Sequence, residues 1–122
     1  MISFTTYKII HLLGVFLILM SLGALCFHFI NGGHGKPAQK KFLAMGHGIG
    51  LLLAILGGFG MLAKQGITHS MPGWVFAKLA IWLVLGGMLA LIPRRPQLAG
   101  TFWWLTVALG GLGGWIALTK LF

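Results

Sequence analysis

The sequence predicts an all-α fold: an integral membrane, antiparallel four-helix bundle. Three observations lead there. Of 122 residues, 58% are hydrophobic and only 7% are charged, with a mean hydropathy of +0.98; soluble domains carry roughly 25% charged residues. Four apolar stretches come close to or exceed the ~20 residues a helix needs to cross a bilayer core. Short loops rich in glycine, proline and basic residues separate them, so neighbouring helices should run antiparallel, up-down-up-down. Four spans leave no length for a separate soluble domain, and residues 1–122 read as a single transmembrane domain.

The first span covers residues 7–30, from Tyr7 through His28. The preceding MISFTTYK lacks a basic segment followed by a short apolar core and a small-residue cleavage site, so this helix is expected to be retained. NGGHGKPAQKK, with three glycines, a proline and three lysines, reads as a solvated loop. The second span covers 41–63. KQGITHSMPG follows, with Pro72 suited to a first helical position. The third span covers 73–92, PRRPQLAG breaks it, and the last covers 101–119 before Lys120. Trp74, Trp103 and Trp104 stand at span starts, where aromatic belts form, while Trp82 and Trp115 lie deeper.

Lysine and arginine in the loops set orientation. Lys36, Lys40, Lys41, Arg94 and Arg95 outweigh Lys8, Lys64 and Lys120. This places the 31–41 and 93–100 loops in the cytoplasm and both termini outside, in a bacterial-type inner membrane.

All nine charges are positive: the chain has no aspartate and no glutamate. That excludes carboxylate general acid–base chemistry, hard-cation coordination and acidic proton relays. A net charge of +9 suits anionic lipid headgroups. It also suits an anionic ligand or an acidic partner subunit. No nucleic acid is expected as a partner. Cys26 is the single cysteine and cannot form an internal disulfide.

Small and polar residues mark the helix seams, because lipid gives helices no hydrophobic reason to associate and close backbone approach matters instead. The stripes are His11, Gly14, Ile18, Ser21, Leu25 and His28; His47, Gly50, Ala54, Gly57 and Met61; and Thr106, Gly110, Gly113 and Ala117. Such a glycine-rich bundle is also suited to a homodimer.

Ionisable residues inside a span are functional candidates. Here they are His11, His28, His47 and Lys78. Counting at 1.5 Å per residue places His11 and Lys78 in one layer, roughly 6–8 Å below the helix starts. The same count places His28 and His47 in an opposite layer, about 4–5 Å apart in depth. Neutral imidazole ligates haem iron, copper and zinc. Met45 and Cys26 would add soft ligands for copper around His28 and His47.

A first helix with Lys8 three residues before His11, a second helix carrying His47, and a third opening GWVFAKL with Trp74 and Lys78 resemble the SirB-like small membrane proteins. More loosely, the first and third signatures resemble the membrane protoporphyrinogen oxidases and the copper-resistance D membrane domain. The oxidase resemblance implies that His11 and Lys78 form the functional pair, associated with haem or porphyrin. The departures are a shorter chain, a first helix ending SLGALCFHF without arginine, and no histidine late in the third helix.

The sequence therefore predicts a protein binding haem b or porphyrin for electron transfer or porphyrin oxidation. His11 and His47 would supply iron ligands, and Lys78, with Lys8 nearby, would meet propionates or another anionic group. The alternatives are a copper-handling protein using His28 and His47 and a non-catalytic scaffold or subunit.

Overall fold

The computed structural model describes residues 2–34, 37–67 and 70–120. Lys36 and His69 lie outside them. Among the described residues, four long α-helices account for most of the chain: α1 (Phe4–Ile30), α2 (Lys40–Lys64), α3 (Gly73–Arg94) and α4 (Ala99–Thr119). A 3-10 turn, Pro96–Leu98, precedes α4. The fold is all-α, and each helix is long and apolar enough to cross a membrane. The outer surface agrees: Met20, Phe42, Trp104 and Leu118 are 70–86% exposed. A large continuous apolar exterior is foreign to water-facing monomers. The chain is a multi-pass membrane protein.

Local chemistry sets the helix ends. Ser3 caps α1, its hydroxyl accepting from the Thr6 N–H at 3.1 Å, which satisfies one of the free amides of the first turn. This starts α1 three residues earlier than the apolar run indicates. α1 and α2 both stop at a glycine in the left-handed region, Gly32 (φ 84) and Gly66 (φ 77). Gly33 N–H donates to His28 C=O and Gly32 N–H to Phe29 C=O. Ile67 N–H donates to Leu62 C=O and Gly66 N–H to Ala63 C=O. Both are Schellman closures, in which a residue without Cβ takes the conformation others avoid. Pro72 is the residue before α3, one position outside the helix. Pro93 sits in the last turn of α3, which ends one residue later.

The tightest pair is α1 with α2. Glycines make it so. A Cβ on Gly14 would collide with the backbone N of Ala54, one on Gly50 would lie 2.7 Å from the Gly14 carbonyl, and one on Gly57 would lie 2.6 Å from the Tyr7 carbonyl. Tyr7 lays its ring over Gly60 in the same seam. Without a solvent-driven force, such backbone-to-backbone dispersion contact is what holds two helices together.

The rest of the bundle is uneven. Ile18, Leu22, Leu25, Cys26, Phe29, Leu85, Met88, Ile92, Ala99 and Phe102 are buried in one cluster. They come from the C-terminal halves of α1 and α3 and the start of α4, so the apolar core fills the half of the bundle next to the Arg94–Arg95 turn. α3 makes few backbone contacts with α2. Reciprocal side-chain bonds link them instead: His47 Nε2–H donates to the Leu85 carbonyl (3.0 Å) and Trp82 Nε1–H to the Leu51 carbonyl (3.1 Å).

Gly50→Val should lower unfolding stability by about 1–3 kcal/mol through overpacking, measured by thermal unfolding in detergent. Gly48→Val, where an added Cβ meets nothing within 4 Å, should leave the midpoint within error.

Candidate functional site

The half of the bundle opposite the packed core holds a cavity of about 580 Å³ bounded by all four helices. Small-molecule sites occupy roughly 300–1,000 Å³. Its walls are largely apolar, with Ile18, Ile55, Leu79, Trp82 and Leu109 among them. Its polar groups lie toward the end that carries the start of α1 and the end of α4: Lys8, His11, Gln65, Lys78 and Lys120. The sequence contains no aspartate or glutamate side chain to neutralise these cations.

His11 is held by the seam that fixes α1 on α2. Its Nδ1 lies 2.7 Å from the Ala54 carbonyl. A carbonyl only accepts, so Nδ1 carries the proton and the neutral ring keeps its lone pair on Nε2. Nε2 has no partner among the described residues, and no buried side-chain nitrogen or oxygen there is left unsatisfied. Nε2 is therefore not sealed in the seam. An imidazole oriented by an N–H···O=C bond, its other nitrogen free, is how proteins present histidine to metals.

Lys78 is half-buried, one turn into α3, on the cavity wall. Among the described residues no group accepts a hydrogen bond from it, and its Nζ is not sealed. The ammonium thus sits on a mostly apolar cavity wall with no acceptor among the described residues. Lys120 lies beside it on the cavity wall, its Nζ 5.4 Å from the centroid of the Trp74 ring. That distance is within cation–π range. Lys120 takes a left-handed conformation (φ 49) as α4 ends.

The other predicted site residues lie elsewhere. His47 is 2% exposed, donates to Leu85 and does not line the cavity. Gly57 opposes His11, and His47 is ten residues before Gly57, about 15 Å along the helix. It is a strut between α2 and α3, and it does not join His11 and Lys78. The pairing of His28 with His47 by depth is also corrected. Gly46 opposes Ser21; His28 is seven residues beyond Ser21, and His47 is one residue past Gly46 in the other direction. The separation is about 12 Å along the axis, not 4–5 Å. The depth count took α1 to end level with the start of α2, whereas α1 overhangs it by about a turn. His28 meets Phe29 edge-on, 4.8 Å between ring centroids, and Met45 is 61% exposed on the outer face. Among the described residues no three histidine, cysteine or acidic side chains cluster as a metal site.

Several contributors escape a search for ionisable residues inside spans. Lys120 reads only as the residue that closes the last span. Gly113 and Gly114 line the cavity, and a Cβ on either would meet nothing within 4 Å; they leave the space that the cavity occupies. No protein-family model, curated protein or solved structure matches the chain.

Two substitutions separate strut from site. His47→Phe should cost about 0.6–2 kcal/mol for the lost interhelical bond. Lys78→Met should leave the ligand-free protein equally or more stable, because it removes a half-buried ammonium without an acceptor. Thermal unfolding without added ligand measures both. A drop for Lys78→Met would mean the ammonium is a structural contact.

Proposed function

We propose that the protein binds an amphipathic anion within the membrane, and that a haem or porphyrin is the ligand best suited to the cavity. The observation that carries this reading is Lys78: a half-buried ammonium on a mostly apolar cavity wall, with no acceptor among the described residues and two more lysines around the same space. A cation so placed is costly until an anion joins it. The apolar walls would take the hydrophobic body of the ligand, and Lys8, Lys78 and Lys120 its acidic groups.

The residues present fit a haem. His11, with Nδ1 anchored on Ala54, would hold the iron through Nε2. Trp82, fixed by its bond to Leu51, gives a flat apolar wall. The lysines suit propionates, to which they would bind as point charges. A bound haem would supply one-electron chemistry; the chain's own groups bind, orient and neutralise. The resemblance to the protoporphyrinogen oxidases implies the same pair, His11 and Lys78; the SirB-like pattern includes His47 and implies no mechanism.

By the positive-inside rule the Lys40–Lys41 and Arg94–Arg95 end faces the cytoplasm of a bacterial-type inner membrane, where those groups meet anionic lipids. The cavity and both termini then belong to the outer leaflet.

Purified protein in mild detergent, titrated with haem, should give a Soret band that shifts on reduction with dithionite to the spectrum of a one-histidine ferrous haem. His11→Phe should remove that spectrum. Lys78→Gln should weaken affinity about tenfold, equivalent to ~1.4 kcal/mol. Gly113→Phe should fill the cavity and abolish uptake with the unfolding midpoint retained. A wild-type protein that stays colourless with haem present would end this reading, and metal analysis would then test copper.

A further inference from the structure

The cavity opens sideways as well as toward the membrane surface. On α1, Lys8, Leu12, Leu19 and Gly23 fall on one stripe, at spacings of four, seven and four. The lower part of this stripe is closed by α4: Leu19 lies 3.3 Å from where a Cβ of Gly110 would stand, and the Trp103 ring lies at 3.3 Å from a Cβ on Gly23. The upper part is not. Leu12 is 42% exposed and Lys8 is exposed, yet both line the cavity. Opposite them on α4, Gly113 and Gly114 meet nothing within 4 Å, and Leu118 lines the cavity while 86% exposed. The two helices touch in the core half and part toward the other end.

Depth decides what this gap faces. Leu12 lies eight residues, about 12 Å, from the start of α1, and Gly113 six residues, about 9 Å, from the end of α4. α1 is about 40 Å long against a hydrocarbon core of ~30 Å. The gap therefore reaches below the headgroups and meets acyl chains.

We infer that the ligand enters from the bilayer, through the gap between α1 and α4, and that its chemical class is an anion that partitions into lipid. This rests on the cavity being the binding site, as proposed above. An incoming molecule slides its apolar body past Leu12 and the Gly113–Gly114 pair while its acidic group stays at headgroup level. Lys8, at the edge of the gap, meets that group first and Lys78 holds it at the end of the path. The glycines matter here because any side chain at 113 or 114 projects into the opening.

The test is a rate measurement. Protein in vesicles is mixed with vesicles carrying haem, and the Soret change gives loading; transfer to excess apomyoglobin gives release. Leu12→Trp, which narrows the gap, should slow loading and release together at least fivefold, a larger effect than any change in their ratio. Gly114→Leu is the second gap variant, should Leu12→Trp fail to fold. Leu52→Trp, on the outward face of α2 and 62% exposed, should change neither rate. Lys78→Gln should change the ratio. Gap variants that load at the wild-type rate, or that change the ratio alone, overturn lateral access but leave the site intact. A wild-type protein that takes no haem overturns the site, and lateral access with it.

Discussion

The close backbone contact between α1 and α2 is the constraint on which the rest depends. Gly14, Gly50 and Gly57 let two helices approach until carbonyls and amides are nearly in contact. A membrane interior offers no hydrophobic gain for pairing helices, so the dispersion energy of this contact has to hold them. The contact also fixes axial register. Register puts His11 beneath Ala54, the Ala54 carbonyl fixes the tautomer, and the tautomer decides that Nε2 is the free nitrogen. A one-turn slip would remove all three.

The remaining helices are held less evenly, and the cavity follows from that. α3 leans on α2 through His47 and Trp82, side chains that span a distance backbones do not close. α4 meets α1 in the core half of the bundle, where Leu19 reaches Gly110 and Trp103 reaches Gly23. Buried apolar side chains fill the half of the bundle beside the Arg94–Arg95 turn; in the other half, glycines on α4 face open space. Into that space the chain projects cations and, having no aspartate or glutamate, no acidic side chain to neutralise them. A low-dielectric surround strengthens whatever anion–cation contact a ligand supplies. On the proposed reading, the missing acidic residues and the apolar cavity are two halves of one recognition device.

The helices were legible because apolar length and loop punctuation are local properties. Their seams were legible too: His47, Gly50, Ala54 and Gly57 are all buried, as their three-and-four spacing indicates. Relative register was not. It depends on which glycine opposes which carbonyl, and no count from helix ends carries that information. This is why His28 and His47 are a full two turns apart in depth, and why His47 is a strut. The composition of the cavity was half legible. His11 and Lys78 stand out as ionisable residues inside spans, whereas Gly113 and Gly114 contribute by what they lack. Lys120 reads only as the end of the last span until the ends of α1 and α4 are placed around one space.

The most direct test of the account compares two porphyrins with the same apolar body, protoporphyrin as its free acid and as its dimethyl ester. Binding is followed by quenching of Trp82 in a variant retaining only that tryptophan. If the cavity recognises an amphipathic anion, the free acid should bind at least ten times more tightly, and Lys78→Gln should narrow the difference. Equal affinity for the two, or no quenching by either, would contradict the claim that these lysines and this cavity form a binding site for acidic, lipid-soluble molecules.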